Sequence, residues 1–269
     1  MLKLTFIDTE SAWDEYLHED YRAIDAAGVA KLERQGRKRH NQACKRIFAA
    51  AALDLVVNDD RTMGIEGLTA WTEREYGDEQ AVVEGLLDHI RYRPDHRVVT
   101  YGGLAAELPL LTLCAMEHGL LMPDQLRSNQ RVRYGEMRPH MDLALELKGQ
   151  GRDWAHLSEI GLRMGMPREL FMGKTEVELP RTAEEWIDVR RHVSCDVVLT
   201  AMVTLAWLRV QGRISIDMPA AIYDMPAAIY NLADWFLRRT GDETRIAEPL
   251  AELRMRMAEE MAAEFDLAA

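Results

Sequence analysis

Apolar residues in the first half of the chain recur in short runs, a spacing typical of strands. Leu2 to Asp8 alternates apolar and polar side chains, and Lys45 to Val57 is a nearly continuous apolar run. Gly64 to Trp71 has a similar character, and Arg97 to Tyr101 ends at two glycines that break it. We therefore predict four strands here, and a short edge strand near His140 to Leu143.

Helical spacing dominates between and after these strands. From Asp78 to Arg91, apolar residues recur every four positions, and a proline then stops the pattern. Helices are also predicted from about Leu104 to His118 and from Leu157 to Met164. The longest begins after Thr182, which has a capping-box glutamate three residues later, and runs to about Val210. Strands followed by alternating helices and strands indicate the α/β class.

The composition changes beyond residue 212. The heptapeptide DMPAAIY occurs twice in succession, from Asp217 to Tyr223 and from Asp224 to Tyr230. Glu248 to Phe265 is rich in Ala, Met and Glu, with apolar residues at the spacing of an amphipathic helix. We predict a core domain over residues 1–212 and a helical C-terminal extension over residues 213–269. This extension would pack on the domain or on a second subunit.

The cysteines and the apolar runs indicate the cellular compartment of the protein. Cys44, Cys114 and Cys195 are far apart and match neither a disulfide framework nor a CxxC zinc spacing, so we predict reduced thiols. No apolar run reaches the roughly 18 residues of a transmembrane helix, and the first residues lack the features of a signal peptide. The sequence therefore predicts a cytoplasmic protein without a membrane segment.

The charge of the chain is unevenly distributed. The net charge of −12 argues against tight, sequence-independent binding to a long polyphosphate, since that affinity comes mainly from Lys and Arg. Basic residues nevertheless crowd the stretch from Lys31 to Arg46, where Arg37, Lys38 and Arg39 are consecutive. This stretch has two interpretations, a solvated loop or a phosphate-binding segment. A looser basic group is formed by Arg127, Arg131, Arg133 and Arg138.

Asp8 and Glu10 stand two residues apart at the predicted end of the first strand. Side chains at that spacing emerge on the same face of a strand, so the two carboxylates can share a metal ion. Carboxylate oxygens suit Mg²⁺ or Mn²⁺. A D-x-E pair is a weak signal in isolation, because the chain holds 45 acidic residues.

Two further segments could carry chemistry. At Gly102 and Gly103 a predicted strand meets a helix, and Glu107 in the first helical turn could project into a cleft above the sheet. The alternative is an ordinary turn with a solvated glutamate. His192 and Asp196 stand four residues apart in an apolar helix, and an acid there is costly to bury without a partner or a metal.

In this order, the segments FIDTE, TYGGLAAELPLL and HVSCD resemble the DnaQ-like 3′-5′ exonucleases of the RNase H-like superfamily. In particular, the chain resembles predicted exonucleases related to the proofreading domain of DNA polymerase B, over about residues 1–210. The Asp-x-Glu motif of that family matches Asp8 and Glu10, its second motif falls on Tyr101 to Pro109, and its third, Tyr-x-x-x-Asp, falls on His192 and Asp196. Shorter likenesses are EGLLDHI, CAMEHGL, HMDL and LSEIGLRMGMP, at residues 84–90, 114–120, 140–143 and 157–167.

Four positions depart from the family pattern. Glu107 stands where the family has Asp, Gly102 where it has Asn, Ala106 where it has Phe, and His192 where it has Tyr. A glutamate keeps the charge of an aspartate and reaches one methylene further. In the sister branch of the superfamily the catalytic base is a histidine five residues before the last aspartate, and Arg191 occupies that position here.

The resemblance implies an RNase H-like α/β fold, with a mixed sheet of about five strands flanked by helices. It also implies hydrolysis of phosphodiester bonds at the 3′ ends of single-stranded DNA or RNA, with two Mg²⁺ or Mn²⁺ ions stabilising the attacking and leaving oxygens. Asp8, Glu10, Glu107 and Asp196 would hold the ions, and His192 would orient or deprotonate the water. Substrate contacts are expected from Thr9, Tyr101, Gly102, Gly103, Arg37, Lys38 and Arg39.

Two other functions remain open at this point. The first is a catalytically weakened or inactive domain that binds or scaffolds nucleic acid with the same fold. The second is a partner-binding protein that forms a homo-oligomer, or joins a polymerase or repair complex, through its C-terminal helices. Retention of all four carboxylates favours catalysis, because like charges repel one another when no cation is bound.

Overall fold

A computed structural model describes residues 1–35, 42–60, 63–127, 139–148, 151, 153–164, 166, 171 and 179–214. Within them the backbone forms one five-stranded sheet in the order β3-β2-β1-β4-β5. β1 is antiparallel to β2, which is antiparallel to β3, whereas β1, β4 and β5 run parallel. The strands are β1 (Leu2–Trp13), β2 (Lys45–Val57), β3 (Met63–Thr72), β4 (Arg97–Thr100) and β5 (His140–Asp142).

Helices flank both faces of the sheet, which confirms the predicted RNase H-like α/β fold. The predicted helices beginning near residues 78, 104, 157 and 182 are all present as α4, α5, α7 and α8. The basic residues Arg37, Lys38 and Arg39 and the C-terminal extension beyond residue 214 lie outside the described residues. The helices are α1 (Glu15–Ile24), α2 (Ala26–Arg34), α3 (Glu73–Tyr76), α4 (Glu79–Arg91), α5 (Glu107–His118), α6 (Leu143–Lys148), α7 (Leu157–Arg163) and α8 (Ala183–Val210).

The sheet separates two cores because successive strand residues point to opposite faces. Leu4 and Phe6 of β1 pack in the core that contains α8, whereas Ile7 packs in the core that contains α4 and α5. β2 is an interior strand between β3 and β1, and its residues from Ile47 onward are all buried. This two-sided burial explains why β2 is a continuous apolar run rather than an alternating one.

Among the described helices, α8 is the one long and apolar enough to cross a membrane by length and composition. Of its most apolar window, 78% is buried inside the fold. It packs along β1, β2 and β3, so its hydropathy is that of a core helix.

Several local features differ from the predictions, among them the unpredicted short helices α3 and α6. β1 extends to Trp13 rather than ending near Asp8, because β2 continues to pair with it past a bulge after Glu10. α5 begins at Glu107 rather than at Leu104, and the residues before it form a turn. α1 and α2 were not predicted in the charged segment, although Leu17, Tyr21 and Ile24 recur at helical spacing in α1; none of the α1 residues is buried in the core.

Candidate active site

A cleft of about 930 Å³ opens on the α8 side of the sheet. It brings together residues from β1, from the turn after β4, from the start of α5 and from the middle of α8, which are far apart in the chain. The described part of the cleft thus gathers eight of the predicted site residues. These are Asp8, Thr9, Glu10, Tyr101, Gly102, Glu107, His192 and Asp196.

Asp8 and Glu10 face α8 for the same reason that Leu4 and Phe6 do, since all four share one side of β1. Their partners across the sheet in β2 are two alanines, Ala51 opposite Asp8 and Ala49 opposite Glu10. Both carboxylates therefore lie within the strand, over small neighbours, and not at its end as the sequence suggested.

His192 of α8 lies between the β1 carboxylate Glu10 and Asp196 of its own helix. Its Nε2 lies 3.5 Å from Oε1 of Glu10 and 3.6 Å from Oδ2 of Asp196. His192 and Asp196 are one helical turn apart, as their spacing predicted. The ligand atoms of Glu10, His192 and Asp196 all lie within 4.8 Å of one another, a separation that one cation could bridge.

Glu107 enters the cleft from the first position of α5. Its Oε2 is buried and, within the part of the chain that the structure describes, has no hydrogen-bond partner. A buried carboxylate oxygen without a partner is costly, and a bound cation would satisfy it. Glu107 thus reaches the site although it is one methylene longer than the aspartate of the family motif.

Burial and mutual repulsion raise the pKa values of the acids in this cleft. Burial, with the charges of Asp196 and Glu107, raises the pKa of Glu10 to about 8. Burial followed by the charges of Asp196, Glu107 and Glu10 raises the pKa of Asp8 well above its usual value. Burial, with the charge of Asp142, raises the pKa of Glu107 to about 7. Hard oxygen donors crowded in this way fit divalent ions such as Mg²⁺ and Mn²⁺.

The turn after β4 is shaped around two glycines. Gly102 has a φ of 79°, a conformation that glycine adopts freely and asparagine tolerates, which accounts for Gly here where the family has Asn. Gly103 does not line the described part of the cleft. A Cβ on it would lie 2.5 Å from the Cβ of Thr100, so its lack of a side chain lets the turn close.

Asp142 is a residue that the sequence analysis did not place in the site. Its Oδ1 accepts hydrogen bonds from the backbone N–H of Gly102 (2.8 Å) and of Ala144 (3.1 Å), and its Oδ2 accepts one from that of Leu104 (2.9 Å). Asp142 therefore holds the turn that leads to Glu107. The sequence contained a clue, because Asp142 stands at the end of the predicted edge strand. β5 runs parallel to β4, and the carboxyl ends of parallel strands meet at one edge of a sheet.

Other side chains lining the cleft were also missed. Lys45 and Arg181 add positive charge, and Lys45 partly offsets the raised pKa of Glu10. Trp154 and His156 lie beside Tyr101, whose hydroxyl donates a hydrogen bond to the backbone carbonyl of Ala155. Sequence spacing could not reveal these contacts, because each depends on how segments distant in the chain pack against one another.

Residues 39–234 match a family described as predicted 3′-5′ exonucleases related to the exonuclease domain of PolB. The chain belongs to this family. The family match identifies the domain as one of the nuclease type. Exonuclease domains of this kind generally use divalent metal ions. The match begins after β1, so Asp8 and Glu10 lie before the matched range. None of the curated proteins matches the chain.

Solved structures with a similar fold include the family B DNA polymerase from the hyperthermophilic archaeon Pyrobaculum calidifontis, at 17% identity and a TM-score of 0.45. E. coli exonuclease I in complex with a dT13 oligonucleotide matches at 11% identity and a TM-score of 0.34. Each match covers 77% of this chain, but 25% of the polymerase chain and 41% of the exonuclease I chain. The chain thus spans about a quarter of one protein and two fifths of the other, and the likeness concerns the fold alone.

Proposed function

We propose that this chain is a divalent-metal-dependent 3′-5′ exonuclease that acts on single-stranded DNA. The observation that carries the proposal is the convergence of four carboxylates from β1, α5 and α8 on one cleft, where burial and neighbouring acids raise the pKa values of Asp8, Glu10 and Glu107. Perturbed acids gathered in a cleft are typical of catalytic sites.

Asp8, Glu10, Glu107 and Asp196 would hold two Mg²⁺ or Mn²⁺ ions. Such ions stabilise negative charge on the attacking and leaving oxygens of a phosphodiester. Glu107 would contribute its Oε2, which has no hydrogen-bond partner among the described residues. The four carboxylates come from three elements, β1, α5 and α8, so the fold itself sets their separation before an ion binds.

His192 would act on the water. Its Nε2 faces Glu10 and Asp196, and it would accept the proton of the attacking water while the two carboxylates stabilise the imidazolium. The water oxygen would add to phosphorus as the P–O3′ bond breaks, and the leaving O3′ would take a proton from solvent. The products would be a nucleoside 5′-monophosphate and a strand with a new 3′ hydroxyl. Each turnover shortens the strand by one nucleotide.

The remaining predicted residues would bind the strand. Thr9, Tyr101 and Gly102 line the cleft, and Lys45 and Arg181 supply cationic side chains to it. Arg37, Lys38 and Arg39 remain proposed phosphate contacts, and Gly103 acts through the shape of the turn. The domain boundary at residue 212, a cytoplasmic location and a polymerase or repair partner stay predictions.

The test uses single-stranded oligonucleotides labelled at either end, incubated with Mg²⁺ or Mn²⁺. A 3′ label should appear in mononucleotide at once, whereas a 5′ label should remain on a ladder of shortening strands. Asp8→Ala should reduce the rate by about 10³-fold, a loss typical of removing one preorganised electrostatic group. An RNA oligonucleotide of the same sequence tests the preference for DNA.

Three outcomes would contradict the proposal. Release of the 5′ label first would reverse the direction, and digestion by Asp8→Ala at the wild-type rate would remove Asp8 from the mechanism. Binding of the oligonucleotide without digestion would favour the non-catalytic nucleic-acid-binding domain.

A further inference from the structure

A second group of potential metal ligands lies where α4 and α5 pack together, apart from the cleft. It consists of Glu79, Cys114 and His118, each of which offers one ligand atom, and these atoms lie within 4.8 Å of one another. None of the three lines the cleft. They belong to the other face of the sheet, where Cys114 is part of the core beneath α4 and α5.

The fold brings these side chains together in two steps. Cys114 and His118 are four residues apart on α5, so they share one face of that helix. Glu79 is the first residue of α4, and its Oε1 accepts a 2.7 Å hydrogen bond from the backbone N–H of Ile47 in β2. Cys114 is buried, whereas Glu79 and His118 are half-buried, so an ion can enter from solvent.

The local charge favours a cation. Glu117 lies close enough to act on both Glu79 and the Cys114 thiol, so it adds negative charge beside the ligand atoms, whereas Arg46 near Glu79 adds positive charge. A divalent ion would replace the thiol proton and balance the surrounding acids, as it does when metal binding releases protons from cysteine.

We propose that Glu79, Cys114 and His118 bind a zinc ion that links α4 to α5. Thiolate sulfur, imidazole nitrogen and one carboxylate oxygen suit Zn²⁺, and the thiolate disfavours Mg²⁺, which prefers oxygen ligands. Water would complete a tetrahedral set. Cys114 stands seven residues after Glu107 on the same helix, about 10 Å along its axis. The zinc would therefore hold in place the helix that presents Glu107 to the cleft.

The test begins with cobalt(II) titrated into the metal-free full chain, because cobalt bound to thiolate gives a charge-transfer band in the near ultraviolet. The acidic cleft offers oxygen and nitrogen ligands, so an ion there does not produce this band. We expect the wild type to show the band at one equivalent and Zn²⁺ to abolish it. Cys114→Ser should lack it, and Cys44→Ser and Cys195→Ser should keep it.

Two more variants test the site even if the buried substitution Cys114→Ser prevents folding. Glu79→Gln preserves an acceptor for the Ile47 N–H, and His118→Gln changes a half-buried side chain. Each should weaken cobalt binding by about 10- to 100-fold or more. Affinity falls by that factor even when the substituted residue only hydrogen-bonds to a metal ligand. Zinc should raise the Tm of the wild type, and it should not raise the Tm of these variants. No band in the wild type, or a band that persists in Cys114→Ser, would overturn the proposal.

Discussion

The two faces of the sheet each hold a carboxylate on an interior strand, and the two groups have opposite surroundings. On the α4 side, Asp54 is 1% exposed and accepts a 2.7 Å hydrogen bond from the Thr5 hydroxyl. Its Oδ2 lies 2.9 Å from both Nε2 of His89 and Nε of Arg93. Burial alone would raise the pKa of Asp54, but His89, Thr5 and Arg93 together lower it.

On the α8 side, Asp8 has acids where Asp54 has donors. Its strongest neighbours are Asp196, Glu107 and Glu10, and with burial they raise its pKa. The comparison separates two uses of a carboxylate. Where the protein supplies the positive charge and the hydrogen bonds, the group stabilises the fold; where it supplies like charges, the group is set to receive a cation from solution.

The largest expected effect concerns His192, which distinguishes a catalytic cleft from a merely acidic one. His192→Ala should lower kcat by about 10²- to 10⁴-fold, because the attacking water loses the group that accepts its proton. Single-turnover digestion with saturating Mg²⁺ measures this. Arg191→Gln, at the neighbouring position, is the control and should retain activity.

His192→Tyr sharpens the same point, since it restores the residue of the family motif. If Nε2 of His192 is the general base, His192→Tyr should digest the oligonucleotide slowly. A variant that is as active as the wild type would assign residue 192 to positioning and not to proton transfer.

The second prediction compares the two carboxylates directly. Asp54→Ala should lower the free energy of unfolding by roughly 3 kcal/mol, because His89 and Arg93 lose their partner in a buried network. Asp8→Ala should leave that free energy unchanged or increase it in the metal-free protein, since it relieves repulsion. Denaturant titration measures both. Equal destabilisation by the two variants would contradict the distinction between the faces.

The third prediction concerns the pH dependence of stability without metal. Glu10 has its pKa raised from 4.5 to about 8, so between these values the folded protein keeps a proton that the unfolded chain has released. Raising the pH through this window should therefore lower the Tm. Glu10→Gln should flatten the decline, and saturating Mn²⁺ should offset it. A Tm that is independent of pH in this range would show that the Glu10 carboxyl group is not protonated in the folded protein.

The smallest effect is expected at Asp142, which acts through the turn and not on the substrate. Asp142→Asn loses the acceptor for the Leu104 N–H and should lower activity about tenfold, the worth of roughly one hydrogen bond. Because the variant misplaces Glu107, raising the Mn²⁺ concentration should recover part of the loss. Asp88→Asn, an exposed substitution on α4, serves as the control. Loss of activity without any recovery by metal would argue against a positioning role.

Local patterns in the sequence were sufficient for much of this molecule. The side chains of Asp8 and Glu10 had to share a face, since a strand repeats every two residues, and His192 and Asp196 had to share a face of a helix. The alternation of β1 and the apolar run of β2 likewise reflect one-sided and two-sided burial. These relations depend on backbone geometry over a few residues, so they can be read without knowing the fold.

Tertiary structure decided which of these local pieces meet. The longer β1, the entry of Glu107 into the cleft and the hold of Asp142 on the glycine turn all depend on pairing between strands distant in sequence. The approach of Glu79 to Cys114 likewise depends on the packing of α4 against α5. Such contacts arise only when the chain closes long loops and buries its two apolar faces, and that balance of entropy and burial is a property of the whole chain rather than of any short segment.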